Sequence, residues 1–389
     1  MDIPFLDLKA QYRSIKAEID GKLKQVVESQ RFILGEEVAM LEQEIADYGG
    51  TQYAVGVSSG SDALIISLMA LGIGEGDFVV TTPFTFFATA GAIARLKAIP
   101  LFCDIDAQSY NIDPQRLELL LSSKIGTRDM SRIKAIIPVH LYGQVADMDA
   151  INDLARQYHL FTVEDAAQAI GSEYPSIEGT KRACALGDLG ILSFFPSKNL
   201  GGFGDGGMVL TDDRGRYETL RLLRVHGSKN KYIYEILGGN FRLDAIQAAI
   251  LRVKLKHLDG WHRARQQRAD SYRDLFNASG VVESGAVRLP VELYRERGVR
   301  HYHTYHQYVI RVRDRVKLQA YLKERNIPSA IYYPLGLHLQ ECFAYLGYRR
   351  GDFPETEQAA QEVLALPIYP ELTAPQQTSI VETIKDFYA

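Results

Sequence analysis

The stretch Ser193–Thr211, SFFPSKNLGGFGDGGMVLT, places one lysine between an apolar run and a glycine-rich loop. The apolar residues at 190–196 predict a buried strand, so Lys198 would stand just beyond its end. Burial disfavours the charged form of an amine, and a neutral amine can attack an aldehyde. The alternative is a lysine in a surface loop, which is the commonest location of this residue type. This stretch by itself does not decide between the two interpretations.

Strands and helices alternate in the sequence that surrounds this stretch. Apolar runs predict strands at 78–83, 99–106, 133–143, 160–168 and 190–196. Helical patterns lie between them at 61–72, 85–97, 113–123 and 147–159. Strands that are apolar on both faces are typical of a sheet covered by helices on both sides. The pattern therefore predicts an α/β fold with a mainly parallel sheet.

A second, smaller unit follows the predicted sheet. A long helical pattern begins near Leu243 and continues to about Asn277, with Gly260 as a possible bend. Beyond it, the sequence predicts strands at 305–312 and 329–334 and a helix at 315–326. We expect a large domain at 1–259, with an N-terminal helix packed on it, and a small C-terminal α/β domain at 260–389.

Composition excludes several classes of protein. The 389 residues carry a formal net charge of −4 without a long basic block, which gives no reason to expect a nucleic-acid partner. The three cysteines are far apart, so we expect neither a disulfide framework nor a metal site. The most apolar long stretch, 78–94, is interrupted by Pro83 and Gly91, and the N-terminus lacks a signal-peptide pattern. We expect a cytoplasmic protein without a membrane segment.

Two polar residues follow LFTVE, the apolar start of the predicted strand segment at 160–168. Asp165 would lie at the carboxyl edge of the sheet, where open α/β sheets usually bind ligands. A buried carboxylate there would suit a protonated pyridine nitrogen, although an ordinary helix N-cap is the simpler interpretation. Gln168 could donate a hydrogen bond to a ring oxygen, or it could be a polar residue on a helix surface.

Small residues and aromatic rings complete the candidate site. Gly60 and Ser61 begin a predicted helix, whose free N–H groups and dipole can bind an anion, although a simple serine cap is the alternative. The hydroxyl of Ser193 is near enough to Lys198 in sequence to reach a phosphate, unless it is only a strand residue. Among the phenylalanines at 84–87, one could stack on a flat ring while the others belong to the core.

Pyridoxal 5′-phosphate requires all of these parts, and the motifs resemble one known family. The matching segments are SSGSDAL, PFTFFATA, VHLYGQVADMDAI, EDAAQAIGS, SFFPSKNLGGFGDGGMV and GGNFRLDAIQAAIL. They are similar to the sugar-nucleotide aminotransferases of the DegT/DnrJ/EryC1/StrS family, in order and over nearly the whole chain. The resemblance implies the aspartate-aminotransferase fold, called fold type I, and a homodimer with active sites shared between subunits.

The resemblance also implies the residues that act on the cofactor ring. Lys198 would form the Schiff base with the cofactor aldehyde and move the proton during transfer. Asp165 would pair with the pyridine nitrogen, and Gln168 would contact the ring hydroxyl. Phe86 matches the stacking aromatic residue of the family. We expect the glycines after Lys198 to let the backbone turn sharply beside the cofactor.

Phosphate and substrate contacts are implied in the same way. The phosphate would be held by the backbone of Gly60 and Ser61, by Ser193, and by Asn240 of the neighbouring subunit. Arg242 is a candidate substrate contact or an interface ion pair. Where many relatives read HYPxPLHLQ, this chain reads IYYPLGLHLQ at 331–340, which leaves the sugar open. Its candidate sugar-side residues are Tyr332, Tyr333 and His338.

The implied reaction has two halves. L-glutamate would give its amine to the cofactor and leave as 2-oxoglutarate, and a keto-sugar linked to UDP or dTDP would then receive the nitrogen. PSKNLGGFGDGG resembles members that aminate C3, for amino sugars of a surface polysaccharide or a secondary metabolite. The alternatives are amination at C4 and a non-catalytic, cofactor-binding sensor. Related sugar dehydratases carry histidine at the lysine position, so Lys198 argues against that class. A dinucleotide-binding fingerprint would open a helix, whereas the residues after GGFGDGG look like a strand, which argues against a nicotinamide dehydrogenase.

Overall fold

The computed structural model describes residues 3–124, 130–230 and 232–389. Its strands are β1 Tyr53–Val57, β2 Phe78–Thr81, β3 Ile99–Phe102, β4 Ile133–Ile137, β5 Phe161–Asp165, β6 Glu173–Ser176, β7 Gly179–Arg182, β8 Leu189–Ser193, β9 Gly207–Thr211, β10 Ser228–Asn230, β11 Ile233–Tyr234, β12 Val287–Arg288, β13 Tyr308–Val312 and β14 Val363–Leu366. Its helices are α1 Leu8–Ser29, α2 Glu36–Gly49, α3 Gly60–Ala70, α4 Phe87–Arg95, α5 Pro114–Ser122, α6 Met148–Tyr158, α7 Arg214–Leu223, α8 Ala245–Leu255, α9 Leu258–Ser279, α10 Arg315–Glu324, α11 Pro354–Glu362 and α12 Ala374–Tyr388. Within the described ranges, none of these helices combines the length and apolar character that crossing a bilayer requires.

Seven strands form the central sheet, in the order β1-β9-β8-β5-β4-β2-β3. Strand β9 runs antiparallel to both of its neighbours, and the remaining strand pairs of the sheet are parallel. The predicted α/β fold with a mainly parallel sheet is confirmed. Each of the five predicted strands overlaps one strand of this sheet, and helices α3 to α6 occupy the predicted intervals.

Helices cover both faces of the sheet, and this explains why its strands are apolar throughout. Successive strand residues point to opposite faces. Val79, Ile137 and Ile191 belong to one buried cluster, and the adjacent Val80 and Ile136 belong to another. Because both faces are covered, neither set of side chains can be polar without a buried partner.

The helical pattern that begins near residue 243 forms two helices, and the break between them precedes the bend that was predicted at Gly260. Helix α8 ends at Leu255 and α9 begins at Leu258, so Gly260 lies inside α9. The N-terminal helix α1 packs on α8 through Ile15 and Ile250. One buried cluster extends from the central sheet into the C-terminal residues. The boundary between residues 259 and 260 stays a prediction.

The C-terminal part contains a three-stranded antiparallel sheet in the order β12-β13-β14. Strand β13 and helix α10 fall where they were predicted. The predicted strand at 329–334 is wrong, since it contributes only one bridge, from Ala330 to Ala365. Pro328 and Pro334 bracket this segment, and proline cannot donate to a ladder. The third strand is β14, which lies further along the chain.

A buried carboxylate joins the central sheet to the C-terminal part. Asp104 follows β3, and its oxygens accept hydrogen bonds from the N–H groups of Glu355 and Thr356, both at 3.0 Å, and from the Thr356 hydroxyl at 2.7 Å. These N–H groups begin α11, whose own N-cap residue, Phe353, makes no side-chain cap. Asp104 therefore caps this helix from a distant segment of the chain.

We predict that Asp104→Ala lowers the free energy of unfolding by about 2 to 3 kcal/mol, because it strands buried donors as well as removing a cap. Asp113→Ala is the matched control, since Asp113 caps α5 locally and at the surface. It should cost only about 1 kcal/mol. Chemical denaturation of both variants checks the difference, and equal losses would contradict a linking role for Asp104.

Candidate active site

A cavity of about 590 Å³ lies at the carboxyl ends of the parallel strands. Thr85, Val139, Asp165 and Ser193, at or shortly after the ends of four strands, line it. The structure brings these predicted site residues to one cavity: Gly60, Ser61, Phe86, Asp165, Gln168, Ser193, Lys198, Tyr332 and Tyr333. This is the crevice in which open α/β sheets bind ligands.

Lys198 stands in a tight turn after β8. Its N–H donates to the Phe195 carbonyl at 2.8 Å, and the next residue, Asn199, donates from Nδ2 to the Thr304 carbonyl at 2.9 Å. Burial lowers the pKa of Lys198 from 10.5 to about 8, although the negative charge of Asp165 partly opposes this shift. A larger share of the amine is therefore neutral near physiological pH than in an exposed lysine.

The glycines after Lys198 serve close packing. A Cβ at Gly201 would lie 2.2 Å from the Pro196 carbonyl oxygen, and one at Gly207 would lie 2.4 Å from the Ser59 carbonyl oxygen. Neither glycine has a positive φ. The expected sharp turn through glycine's conformational freedom is therefore not what these two positions need. Glycine is required at both positions because the loop packs closely against the lysine turn and the start of α3, which leaves no room for a side chain.

Asp165 ends β5 and is not a helix cap, since no helix follows it. Its Oδ2 accepts a hydrogen bond from the Thr89 hydroxyl at 2.8 Å, and its Oδ1 accepts one from the Ala167 N–H at 3.2 Å. Burial raises the pKa of Asp165, while these two donors and the charge of Lys198 pull it down. A further cationic partner in the cavity would favour the ionised carboxylate.

The preceding residue, Glu164, is completely buried and fixes the neighbouring loops. Its carboxylate accepts from the N–H groups of Leu186 and Gly187, both at 2.7 Å, and contacts Nε2 of His140 at 2.8 Å. Nδ1 of His140 accepts a hydrogen bond from the Ala146 N–H at 3.1 Å, so Nε2 carries the proton. His140 thus acts as a structural residue that joins Glu164 to the backbone at Ala146.

The start of α3 packs against the end of β8 at Gly60. A Cβ on Gly60 would lie 2.7 Å from the Ser193 Cβ, so a larger residue would push the two elements apart. The cap is Ser59, whose side chain accepts the Asp62 N–H at 3.0 Å. The first N–H groups of a helix have no partner inside it, and here they lie beside the Ser193 hydroxyl. The arrangement suits a phosphate group.

Gln168 connects two sides of the cavity. Its Oε1 accepts the Tyr142 N–H at 2.7 Å, and its Nε2 donates to the Tyr333 hydroxyl at 3.2 Å. The Tyr142 hydroxyl donates to the Tyr332 carbonyl. Phe86 is 57% exposed, and its ring centroid lies 6.4 Å from that of Tyr333. A flat ligand can therefore meet an aromatic face here.

Three predicted residues do not line this cavity. His338 is buried against Glu357, with Nε2 and Oε1 3.2 Å apart. Asn240 is exposed, and Arg242 forms a backbone bridge with Val57. Their proposed contacts with substrate or with the neighbouring subunit's cofactor stay predictions.

Sequence reasoning missed three residues of the site. Thr89 holds Asp165, and His306 and Gln307 line the cavity. Nδ1 of His306 lies 3.2 Å from Oδ1 of Asn199, the residue after Lys198. Three histidines within six residues, just before a buried strand, were the available signal. Thr89 gave none, because its partner lies 76 positions away in the sequence.

These contacts match the requirements of one cofactor, pyridoxal phosphate. Gly60 and Ser193 form a cradle that a Cβ would fill, Asp165 offers a buried carboxylate, and Lys198 has a lowered pKa. They define an enzyme of the pyridoxal-phosphate-dependent transferase class, fold type I. A model of the DegT/DnrJ/EryC1/StrS aminotransferase family matches residues 13–385, and the chain belongs to this family, whose enzymes use pyridoxal phosphate.

Individual relatives cover almost the whole chain. A "pleiotropic regulatory protein" of Geobacillus stearothermophilus is 49% identical over 389 residues, which is 100% of this chain and 99% of that protein. A "UDP-2-acetamido-2-deoxy-3-oxo-D-glucuronate aminotransferase" of Pseudomonas aeruginosa is 40% identical over 370 residues, covering 95% and 96%. The crystal structure of S. venezuelae DesV in complex with a ketimine intermediate superposes with a TM-score of 0.89 at 38% identity, covering 99% and 98%.

We predict that pyridoxal phosphate, followed by borohydride reduction, labels Lys198 with a yield that rises with pH through a midpoint near 8. Below that pH the amine is protonated and cannot attack the aldehyde. Peptide mass spectrometry across a pH series measures the yield.

Lys254 is the internal control for this measurement. Burial also lowers its pKa to about 8, but its Nζ donates to the Gly201 carbonyl and it does not line the cavity. It should stay unlabelled. Preferential labelling of Lys254, or a yield at Lys198 that is independent of pH, would contradict the assignment.

Proposed function

We propose that this chain transfers the amino group of an amino acid, L-glutamate, to the keto carbon of a nucleotide-linked sugar. The observation that carries the proposal is that Lys198 and Asp165 line one cavity. The start of α3, which packs closely against Ser193, lines the same cavity. The family supplies the reaction class. The exit of glutamate as 2-oxoglutarate follows from the balance of a transamination.

In this proposal the described residues share the work as follows. Pyridoxal phosphate supplies the aldehyde that carries nitrogen and the ring that withdraws electrons. Asp165 holds a proton on the ring nitrogen, which it can do because Thr89 and Ala167 orient its carboxylate. Lys198 binds the cofactor and moves a proton at the reacting carbon, since its pKa of about 8 suits both roles.

The remaining cofactor contacts are proposed on the same basis. The N–H groups of Gly60 and Ser61 and the hydroxyl of Ser193 bind the phosphate, because the close approach at Gly60 brings them together. Phe86 stacks on the ring. Gln168 orients the ring hydroxyl while it is held by Tyr142 and Tyr333.

Carbon C3 is the proposed position of amination. The P. aeruginosa relative is named for a 3-oxo sugar linked to UDP, and it is 40% identical to this chain. The segment after Lys198 favours the same carbon. Tyr332 and Tyr333 line the cavity and are the proposed sugar contacts. UDP and dTDP both remain compatible with this proposal, as does a role in making surface polysaccharide or a secondary metabolite.

A cofactor-binding sensor is the second candidate. The relative from G. stearothermophilus is named as a regulatory protein, and it is 49% identical to this chain, which supports this candidate. The enzyme is favoured because Lys198, with its lowered pKa, and Asp165 are both in place. A sensor would need the cofactor pocket but not a turnover-competent amine. Cys103 and Cys184 are buried free thiols, which supports a cytoplasmic location for either candidate.

We predict that glutamate changes the absorbance of the protein-bound cofactor and that a 3-keto nucleotide sugar restores it, while 4-keto sugars do not. The same additions to Lys198→Ala should produce no turnover, since the proton-transfer group is lost, with activity lower by at least about 100-fold. Restoration by 4-keto sugars would overturn the choice of C3. If no keto-sugar restores the spectrum, the sensor is the better description.

A homodimer with shared sites is also part of the proposal. An apolar segment at 232–237 lies on the surface before Asn240, with Leu237 91% exposed and Tyr234 61% exposed. Such a patch is unusual on a monomer and suits a subunit interface. In the proposed dimer, a second copy seated there contributes its Asn240 to this chain's cavity.

We predict that Lys198→Ala and Asn240→Asp subunits restore each other's activity when they are co-expressed. Asn240→Asp places a negative charge near the phosphate of the neighbouring subunit, so both parent dimers should be inactive. With two-fold symmetry and random pairing, half of the dimers carry one intact site, which gives roughly a quarter of wild-type activity. Co-expression of Lys198→Ala with the double variant is the control and should recover nothing. Parental activity in the first mixture would contradict shared sites.

A further inference from the structure

Three potential metal ligands converge outside the cavity. Asp259 and His262 belong to the first turns of α9, and His301 belongs to the loop that precedes β13. Their ligand atoms all lie within 4.8 Å of one another. The sequence predicted no metal site because the third ligand comes from a segment almost forty residues away.

The two imidazoles are buried and short of partners. His262 has no exposed surface, and neither of its ring nitrogens has a hydrogen-bond partner among the described residues. His301 is 2% exposed, and its Nε2 faces the Asp259 carboxylate without forming a hydrogen bond to it. A buried polar atom without a partner costs free energy, so fully orphaned imidazoles are rare. The unpartnered nitrogens therefore point to a group that is absent from the protein itself.

One pair of these ligand atoms already has a separation close to that of a tetrahedral ion site. Nε2 of His301 and Oδ1 of Asp259 are 3.6 Å apart. Bonds of about 2.0 to 2.1 Å at tetrahedral angles place neighbouring ligand atoms roughly 3.4 Å apart. The two imidazole rings lie at 69° to each other with centroids 5.4 Å apart. The Tyr48 hydroxyl donates to Oδ1 of Asp259 at 2.7 Å, which is the kind of outer contact that orients a ligating carboxylate.

The charges around this cluster allow a dication. Arg182 and Arg265 lie near enough to oppose a cation. Arg265, however, donates to the carbonyls of Tyr305 and Ile368, and Arg182 lies against the Tyr48 ring and the Tyr48 carbonyl.

We propose that Asp259, His262 and His301 bind one Zn²⁺ ion, with water in the fourth position. Two imidazoles and one carboxylate form a ligand set that zinc accepts. The side chain of Asp259 is 43% exposed and gives the ion an entry path from solvent. The ion joins α9 to the loop whose continuation carries His306 and Gln307 to the cavity, so its role is to hold this loop in place.

The test uses the full-length enzyme with bound pyridoxal phosphate and with any affinity tag removed. After dialysis against a chelator, the protein is titrated with Zn²⁺, and bound metal is counted by mass spectrometry after gel filtration. One tightly bound equivalent is expected. Co²⁺ in place of Zn²⁺ should give the strong visible bands of a tetrahedral site, and Zn²⁺ should raise the melting temperature.

Variants separate this site from adventitious binding. Asp259→Asn and His301→Gln keep the side-chain volume and should weaken Zn²⁺ binding at least about tenfold, while the absorbance of the bound cofactor is retained. His257→Gln is the matched control, because His257 lies near the site but pairs with Glu18 at the surface. Unchanged binding in the first two variants, or less than stoichiometric zinc in the unmodified enzyme, would show that the cluster holds only water.

Discussion

The buried carboxylate of Glu164 is the constraint on which the cavity depends. A charge without exposed surface is tolerated only when donors surround it. Here the donors come from His140 and from the loop at 184–187, so the carboxylate fixes both. Because successive strand residues face opposite sides of a sheet, Asp165 must then point the other way, into the cavity. One strand end thus supplies a structural carboxylate and a carboxylate that lines the cavity in consecutive positions.

Local patterns were sufficient for the scaffold and for the central residues of the site. Strands such as β4 and β8 are apolar on both faces because helices cover the sheet, and this signal is contained in a few consecutive residues. Asp165 is the last residue of β5 and Lys198 lies five residues after β8, so their positions at the carboxyl edge followed from the strands. Their proposed roles came from the resemblance to the family, because burial alone left a surface lysine and a helix cap as alternatives.

Contacts between distant segments were not accessible in the same way. Thr89, in α4, donates a hydrogen bond to Asp165 at the end of β5. The spacing of residues within a single helix or strand does not indicate such a contact. The segment at 329–334 has the composition of a strand, but its two flanking prolines limit it to one bridge. His338 is part of a recognisable motif, yet a motif does not show which way a side chain points. In this chain it points to Glu357.

Gln168 has a consequence for how this enzyme can diversify. A single amide holds the backbone of Tyr142 and the hydroxyl of Tyr333, while it also borders the strand ends that surround Lys198. In the proposed function, the contact to the sugar at Tyr333 and the residues at the strand ends are therefore connected through this one side chain. A substitution that alters specificity by moving Tyr333 must be accommodated by a shift of Gln168. Otherwise it also displaces the residues at the carboxyl edge of the sheet. Evolution towards a new sugar along this route is consequently a concerted change of several residues, in which single steps carry a penalty in turnover.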